Sequence, residues 1–491
     1  MYRFDRERQI SFTDFNQPFG LKMNPNNRWI KKAALIPWDT IEIEYAKLFP
    51  SDTGMPAKPL RIALGSLLIQ KQYCYSDEEL CEQLRENPYY QYFIGLPGYI
   101  DEYPFVPSLL VEFRKRLSED VLNEINEMII EYNSQQDDDD NTDDGNGDAG
   151  QSEQHQDAPE DSENAGTLIL DATCAPQNIK YPQDIELLNE AREKLERMIC
   201  DACEKYNFYR PRMYRQKARK DYLALVKCRK RGAKKIRKAI KKQLQYVRRD
   251  LGYIENLIEN NGIVLAEKDC ELLDVIMKVY EQQQYMFDHK IHTVENRIVS
   301  ISQPYIRPIV RGKAKSPVEF GAKLDLSVDE NGMCRIEKLS FDAYNESTVL
   351  KTAVENYKKR TGHYPERVLA DQIYRNRDNI NYCSGLGIRL SGKRLGRPRK
   401  DTDSKSEKKT AYKDNTDRIE VERKISLAKR KFGLGLLLTK REDTTRSSIA
   451  LSVMAMNIDR LAAMLLRLIV HLLECCFGYR VLGLPAVIYG C

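Results

Sequence analysis

Thr167-Leu-Ile-Leu-Asp171 is a short apolar run with a β-branched start, and it stops at an acid. Arg367-Val-Leu-Ala-Asp371 repeats that pattern two hundred residues later. Runs of this length read as buried strands. If the two strands lie side by side and parallel, they stand about 4.8 Å apart and both carboxylates leave the same sheet edge. That spacing suits two acids sharing hard cations.

The sequence between and beyond the two runs sets the order of elements. Asp184 to Gln303 reads as one helical block. Val318–Val328, the turn Asp329-Glu-Asn-Gly332 and Met333–Phe341 read as a β-hairpin. Ser347–Arg360 is an amphipathic helix, and Ile388-Arg-Leu-Ser391 is a possible further strand. Residues 393–415 are basic and polar and read as loop, and Asp417–Phe432 is a helix stopped by Gly433 and Gly435. Without the helical block, the order is β-ββ-α-β-(β)-α. This is an α/β pattern, that of an RNase H-like mixed sheet carrying a large helical insertion. In that sheet the first and fourth strands are parallel neighbours.

A third acid has to come from the helix at 417–432, which offers Glu420 and Glu422. At about 100° per residue, Arg418, Glu422 and Lys429 share one stripe and Glu420 points the other way. Ile425 and Phe432 fall near that stripe, which makes it partly buried and in need of partners for its charges. The plain alternative is that Arg418 and Glu422 form an ordinary i,i+4 surface pair.

Charge divides the chain of 491 residues further. Lys and Arg number 78 against 73 Asp and Glu, a net +5. Residues 134–166 hold 12 of the acids and no Lys or Arg. That segment has too few apolar residues to offset its ordering entropy, so it reads as a disordered linker. It is either a solubilising insert or an acidic competitor for basic surfaces. Residues 205–249 hold 19 Lys and Arg and one acid, Asp221, with interleaved Tyr206, Phe208, Tyr209, Tyr214, Tyr222 and Tyr246. A solvated helix face mixes both signs. This one does not, so a phosphate backbone is the expected partner, through Arg229, Lys230, Lys234, Lys235, Arg237 and Lys238 among others. The block reads as a long basic helix, or two with a break near Gly232, lying on the side that carries the acids.

Residues 1–133 read as an all-α N-terminal domain. Pro59–Tyr73 is one helix, Ser76-Asp-Glu-Glu79 is a capping box that opens a second, and Pro107-Ser108 opens a third running to about Tyr132. With Arg114-Lys115-Arg116 nearby, this fits a helix-turn-helix-like DNA-binding module or a helical dimerisation domain. Residues 446–491 are a C-terminal helical segment whose apolar run, Leu461–Phe477, is broken by Arg467, His471 and Glu474. It reads as a buried helix, so no membrane span is expected. The start, Met1-Tyr-Arg-Phe-Asp5, has no apolar stretch of a secretory leader, so a cytoplasmic location is expected. Cys200-x2-Cys203 lies inside a helical pattern and reads as packed thiols rather than a metal knuckle.

The sequence resembles bacterial insertion-sequence transposases of the DDE class. The likeness rests on Thr167-Leu-Ile-Leu-Asp-Ala-Thr173 with Tyr181-Pro-Gln-Asp184. It also rests on Gly362-His-Tyr-Pro-Glu with Val368-Leu-Ala-Asp-Gln-Ile-Tyr374, and on Arg418-Ile-Glu-Val-Glu422 with Lys429-Arg-Lys-Phe-Gly433. Ser76-Asp-Glu-Glu-Leu80, Asn87-Pro-Tyr-Tyr-Gln-Tyr-Phe-Ile-Gly95 and Phe113-Arg-Lys-Arg116 resemble the helical domain that opens many of them. One branch of the family has Tyr-x2-Arg-x3-Glu-x6-Lys; here the Tyr position is Asn415, and Arg423 replaces the small residue common after the Glu. The resemblance implies a catalytic domain over 167–445 with the insertion at about 184–303. It implies that Asp171, Asp371 and Glu422 hold Mg²⁺ or Mn²⁺, two ions in all, for cutting and joining DNA. It further implies DNA contacts from Arg418 and Lys429, double-stranded DNA with terminal inverted repeats and target DNA as partners, and a homodimer. No GxxxxGKS/T loop is present, so no nucleotide cofactor is expected. Arg394-Leu-Gly-Arg-Pro-Arg-Lys400 places Arg397 in a Gly-Arg-Pro core like minor-groove hooks, or in a basic loop touching phosphates. An inactive DNA-binding regulator and a nuclease without joining activity are the competing functions.

Overall fold

The structure is a computed structural model that describes residues 11–18, 22–49, 56–139, 163–310, 318–393, 395–396 and 405–477. Over these residues the chain forms two compact units. One comprises residues up to 175 with 324–339 and 344 onward; the other comprises 176–323 with 340–343.

The first unit opens with seven helices: α1 (Arg28–Ala34), α2 (Trp38–Ala46), α3 (Leu60–Tyr73), α4 (Asp77–Glu86), α5 (Pro88–Phe93), α6 (Leu109–Arg116) and α7 (Glu119–Asp139). Ser76 caps α4 as expected, its Oγ accepting the Glu79 N–H at 3.0 Å, while the Glu79 carboxylate accepts from Gln83. The third expected helix is two, broken at Leu117-Ser118. Of the basic trio beside it, Arg114 is buried and bound to Asp77 and Gln70, so it serves helix packing. Lys115 and Arg116 are half-buried; Lys115 pairs with Glu112 at 2.7 Å, and Arg116 lies over Phe49. Helix α7 runs six residues into the expected linker, and residues 140–162 of that linker lie outside the described residues.

Strand β1 (Thr167–Pro176) follows. The expected end at Asp171 is corrected: Ala172, Thr173, Cys174 and Ala175 are all buried, so the strand continues past the acid. The second unit then supplies α8 (Asp184–Lys205), α9 (Arg215–Val226), α10 (Ala233–Glu259), α11 (Glu267–His289) and the short strand β2 (Arg307–Val310). Its core is the apolar stripe of α8 packed against those of α10 and α11, with Leu188, Leu195, Ile199, Val247 and Ile276 fully buried. Buried Cys203 and half-buried Cys200 belong to this packing. The expected helical block ends fourteen residues early, because Lys290 adopts a left-handed conformation that caps α11.

The rest of the chain gives β3 (Val318–Val328), β4 (Cys334–Ser340), α12 (Val349–Thr361), β5 (Arg367–Ala370), α13 (Arg377–Gly385), β6 (Arg389–Leu390), α14 (Lys405–Lys431) and α15 (Glu442–Phe477). The six strands form one sheet in the order β2-β3-β1-β5-β6, with β4 also on β3. β1 and β5 are parallel, Thr167 opposite Arg367 through Leu170 opposite Ala370, and β5 and β6 are parallel. Leu168, Leu170, Val368 and Ala370 pack against Leu350, Val354 and Tyr357 of α12.

Residues 405–415, expected as loop, are helical, and α14 starts twelve residues earlier than its apolar pattern indicates. The tether is ionic: Arg367 and Arg389, opposite each other on β5 and β6, both bind buried Asp414, at 3.2 and 2.5 Å. Residues 442–467 form a helix long and apolar enough to cross a membrane. Most of it is spent in packing, with Ile449, Leu451 and Met454 fully buried and Ser447 and Asn457 bound to Arg114 and Asn126 of the N-terminal helices.

Candidate active site

The β1–β5 register decides where the two aspartates fall. The last paired residues are Leu170 and Ala370, so Asp171 and Asp371 are the next residue on each of two parallel neighbours. Asp171 is half-buried, and its Oδ1 accepts the Ala172 N–H at 2.9 Å. Asp371 is exposed; it caps a single 3₁₀ turn, Gln372–Tyr374, and its Oδ1 accepts the Gln372 N–H at 2.8 Å. The short turn ends β5 directly after Ala370.

Helix α14 brings the glutamate. Its buried positions are Asp414, Val421, Lys424 and Ala428, and Asp417 adds a second carboxylate to Arg367 at 2.8 Å. Burial pushes the Asp414 carboxyl up, but Arg389 and Arg367 outweigh it and hold the group below its ordinary range. This clamp of two strand arginines and two helix aspartates was missed in the sequence. Its one trace there is the i,i+3 spacing of Asp414 and Asp417.

Glu422 and Glu420 flank this buried stripe on either side, and Glu422, expected on a partly buried face, is exposed. The Asp171 carboxyl is pushed up to about 6, first by burial, then by the negative charges of Glu422 and Asp371, against the Ala172 amide and Arg418. Glu420 instead pairs with Lys424 at 3.9 Å and lies within electrostatic reach of buried Cys334. The surface-pair alternative is realised as well: Arg418 and Glu422 bond at 3.0 Å, with Glu422 half exposed. Lys429 is half-buried on the same helix. Among the described residues, no three His, Cys, Asp or Glu side chains stand together closely enough to hold a metal ion as they lie. Arg418 holds Glu422, and each aspartate is turned onto the amide that follows it.

The basic stretch is two helices, α9 and α10, broken over Lys227–Gly232 as the glycine indicates. Arg229, Lys230, Lys234, Lys235, Arg237 and Lys238 are all exposed. Arg237 donates to the Phe287 carbonyl at 2.8 Å and lies over the Phe287 ring. Asp221, the one acid of residues 205–249, is taken by Lys242 at 2.6 Å. Arg397 lies outside the described residues.

Residues 368–459, which carry Asp371, Arg418, Glu422 and Lys429, match the family model described as transposase DDE domain. Residues 19–116 match the model described as transposase domain (DUF772). Both matched models are transposase domains, and together they support an insertion-sequence transposase of the DDE class. Asp171 lies outside both matched segments, so its place in the candidate site rests on the β1–β5 register. A curated relative, the uncharacterized protein ORF8 in the nfe locus of Rhizobium meliloti, is 27% identical over 175 residues, 36% of this chain and 74% of the relative. No solved structure matches the chain.

Proposed function

We propose that the chain cuts the ends of an insertion sequence and joins them to target DNA by metal-dependent phosphoryl transfer, with Asp171, Asp371 and Glu422 as the metal-holding acids. The observation that carries this reading is the Asp171 carboxyl itself. It sits one residue past the β1–β5 pairing, opposite Asp371, and is held up to about 6 by burial and by the charges of Glu422 and Asp371. A half-buried carboxylate with two further carboxylates within electrostatic reach carries negative charge that divalent cations relieve. The donor set is all carboxylate, which suits Mg²⁺ or Mn²⁺. Glu422 would leave Arg418 to complete the set.

Two bound ions would activate the attacking oxygen and stabilise the leaving one. This chain's residues do the rest. Arg418, freed from Glu422, and Lys429 would bind phosphates of the DNA end. The exposed cations at the start of α10 would hold the flanking duplex by releasing its counterions. The strand order β4-β3-β1-β5-β6, with β1, β5 and β6 parallel, supports an RNase H-like reading of the sheet. In this reading the protein acts on DNA in the cytoplasm as a dimer, because two ends have to meet, and Arg397 contacts the duplex.

The test is incubation of the full chain with a plasmid carrying the element's two ends and Mg²⁺. Excised ends and their joined products are expected. Cleavage without joining indicates a nuclease, and binding without either indicates a regulator.

A further inference from the structure

Strand β3 carries an acid that the sequence reading passed over. Gly321 to Val328 alternates apolar and polar residues, the pattern of a sheet with one wet face. Asp325 is nevertheless fully buried. Two phenols close on it: the hydroxyls of Tyr344 and Tyr374 both donate to its carboxylate. Burial, and then the Asp325 charge, push both phenols far above their ordinary range, so each remains a hydrogen donor at any working pH.

Tyr374 is the last residue of the 3₁₀ turn that Asp371 caps. Its N–H donates to the Asp371 carbonyl at 3.0 Å, and its own carbonyl accepts from buried Asn379 at 2.7 Å. The same Asn379 amide donates to the Ser347 carbonyl at 2.8 Å. Arg375, the next residue, donates to the Leu390 carbonyl at 2.6 Å. The turn is thus held at its side chain, its carbonyl and its exit. The hold that reaches across the sheet is the Asp325–Tyr374 bond, since β3 neighbours β1 and β1 neighbours β5.

We propose that Asp325 and Tyr374 are positioning residues for Asp371: a buried carboxylate–phenol clasp that fixes the height of the Asp371 turn against Asp171. This rests on the reading of Asp171 and Asp371 as metal-holding acids. Asp371 stands one residue past the last β1–β5 pair and opens a turn, so the ladder fixes where it leaves the sheet and the turn's own contacts set its height. Two ions about 3.5–4 Å apart tolerate little error in their ligands. A residue that orients a ligand typically changes metal affinity or activity by about 10–100-fold when lost.

The experiment measures Mn²⁺ binding to the full chain by electron paramagnetic resonance of the free ion, beside plasmid cleavage across a Mg²⁺ series. Tyr374→Phe keeps the ring and removes one hydroxyl. It is expected to weaken Mn²⁺ binding about 10-fold and to shift cleavage to higher Mg²⁺, with DNA binding unchanged. Tyr344→Phe takes a hydroxyl from the same carboxylate but is remote in sequence from the Asp371 turn, so it should stay within about 2-fold of wild type, well short of the loss of an orienting partner. Equal Mn²⁺ binding by wild type and Tyr374→Phe overturns the proposal, as does an equal loss in both phenylalanine variants. If Tyr374→Phe does not fold, Asp325→Asn takes its place; its amide oxygen still accepts a phenol, so a smaller loss is expected and wild-type binding refutes the clasp. Asp371→Asn separates the two levels. Full Mn²⁺ binding there sinks the active-site reading, whereas loss there with none in Tyr374→Phe sinks the clasp alone.

Discussion

Asp171→Asn is expected to stabilise the metal-free protein while destroying cleavage. Folding moves this carboxyl from 3.8 to about 6, chiefly by burial. At about 1.36 kcal/mol per pH unit this is a cost on the order of 3 kcal/mol at neutral pH. Asp171 is half-buried rather than sealed, and water reaching it reduces the figure to about 1–2 kcal/mol. A folded-state value raised above the unfolded one makes the cost complete above about pH 6 and absent below about pH 4. Asparagine carries no charge and can still accept the Ala172 N–H. Thermal melts in EDTA should therefore show the variant a few degrees above wild type at pH 7.5 and level with it at pH 4. Mg²⁺ should raise the wild-type melting temperature and leave the variant where it is. A variant less stable than wild type at pH 7.5, or one equally shifted at both pH values, refutes the reasoning.

Three further outcomes follow from the same structure. Asp414→Ala leaves Arg367 and Arg389 facing a gap and should cost about 2–4 kcal/mol, read by urea denaturation, with cleavage lost as α14 loosens. Half-buried Lys71, which donates to Ser448 Oγ at 2.5 Å, is pushed down to about 7 by burial and by Arg114. Its cost to stability is complete below about pH 7 and is relieved as pH climbs toward 10.5, so Lys71→Met should gain on the order of 1 kcal/mol at pH 6 and progressively less by pH 9 in the same denaturation assay. Replacing Arg229, Lys230, Lys234, Lys235, Arg237 and Lys238 by Gln should weaken binding to all DNA sequences and flatten the salt slope by about 0.9 per lost phosphate contact; a slope left unchanged in a titration from low to moderate salt means the patch faces something else.

The parts of the fold legible in the sequence are those where apolar pattern and position agree. β1 and β5 are apolar runs whose mutual pairing ends just before an acid, α4 and α12 carry ordinary apolar stripes, and α3 is buried on all sides from Leu60 to Gln70. What was hidden is held by charge. The first three turns of α14 bury Asp414 alone, so no apolar period marks them. β2 is four residues long, and β3 hides Lys323, Asp325 and Ser327 behind an alternating pattern that ordinarily means solvent. The candidate acids were proposed from local rules, the end of an apolar run and the angle along a helix, and one of these failed where β1 runs on past Asp171 to Pro176. The residues that hold them in place, Arg367, Arg389, Asp414, Asp325 and Tyr374, meet only through the folded sheet.

The assignment of Glu422 over Glu420, beside the two aspartates, is the central claim. It is tested most directly by cleavage of a plasmid carrying the element's ends, with Asp171→Asn, Asp371→Asn, Glu422→Gln and Glu420→Gln compared at equal DNA occupancy. The first three should bind DNA and leave it uncut in Mg²⁺, while Glu420→Gln should cut at about the wild-type rate. Wild-type cutting by any of the first three, or an inert Glu420→Gln beside an active Glu422→Gln, would contradict the account.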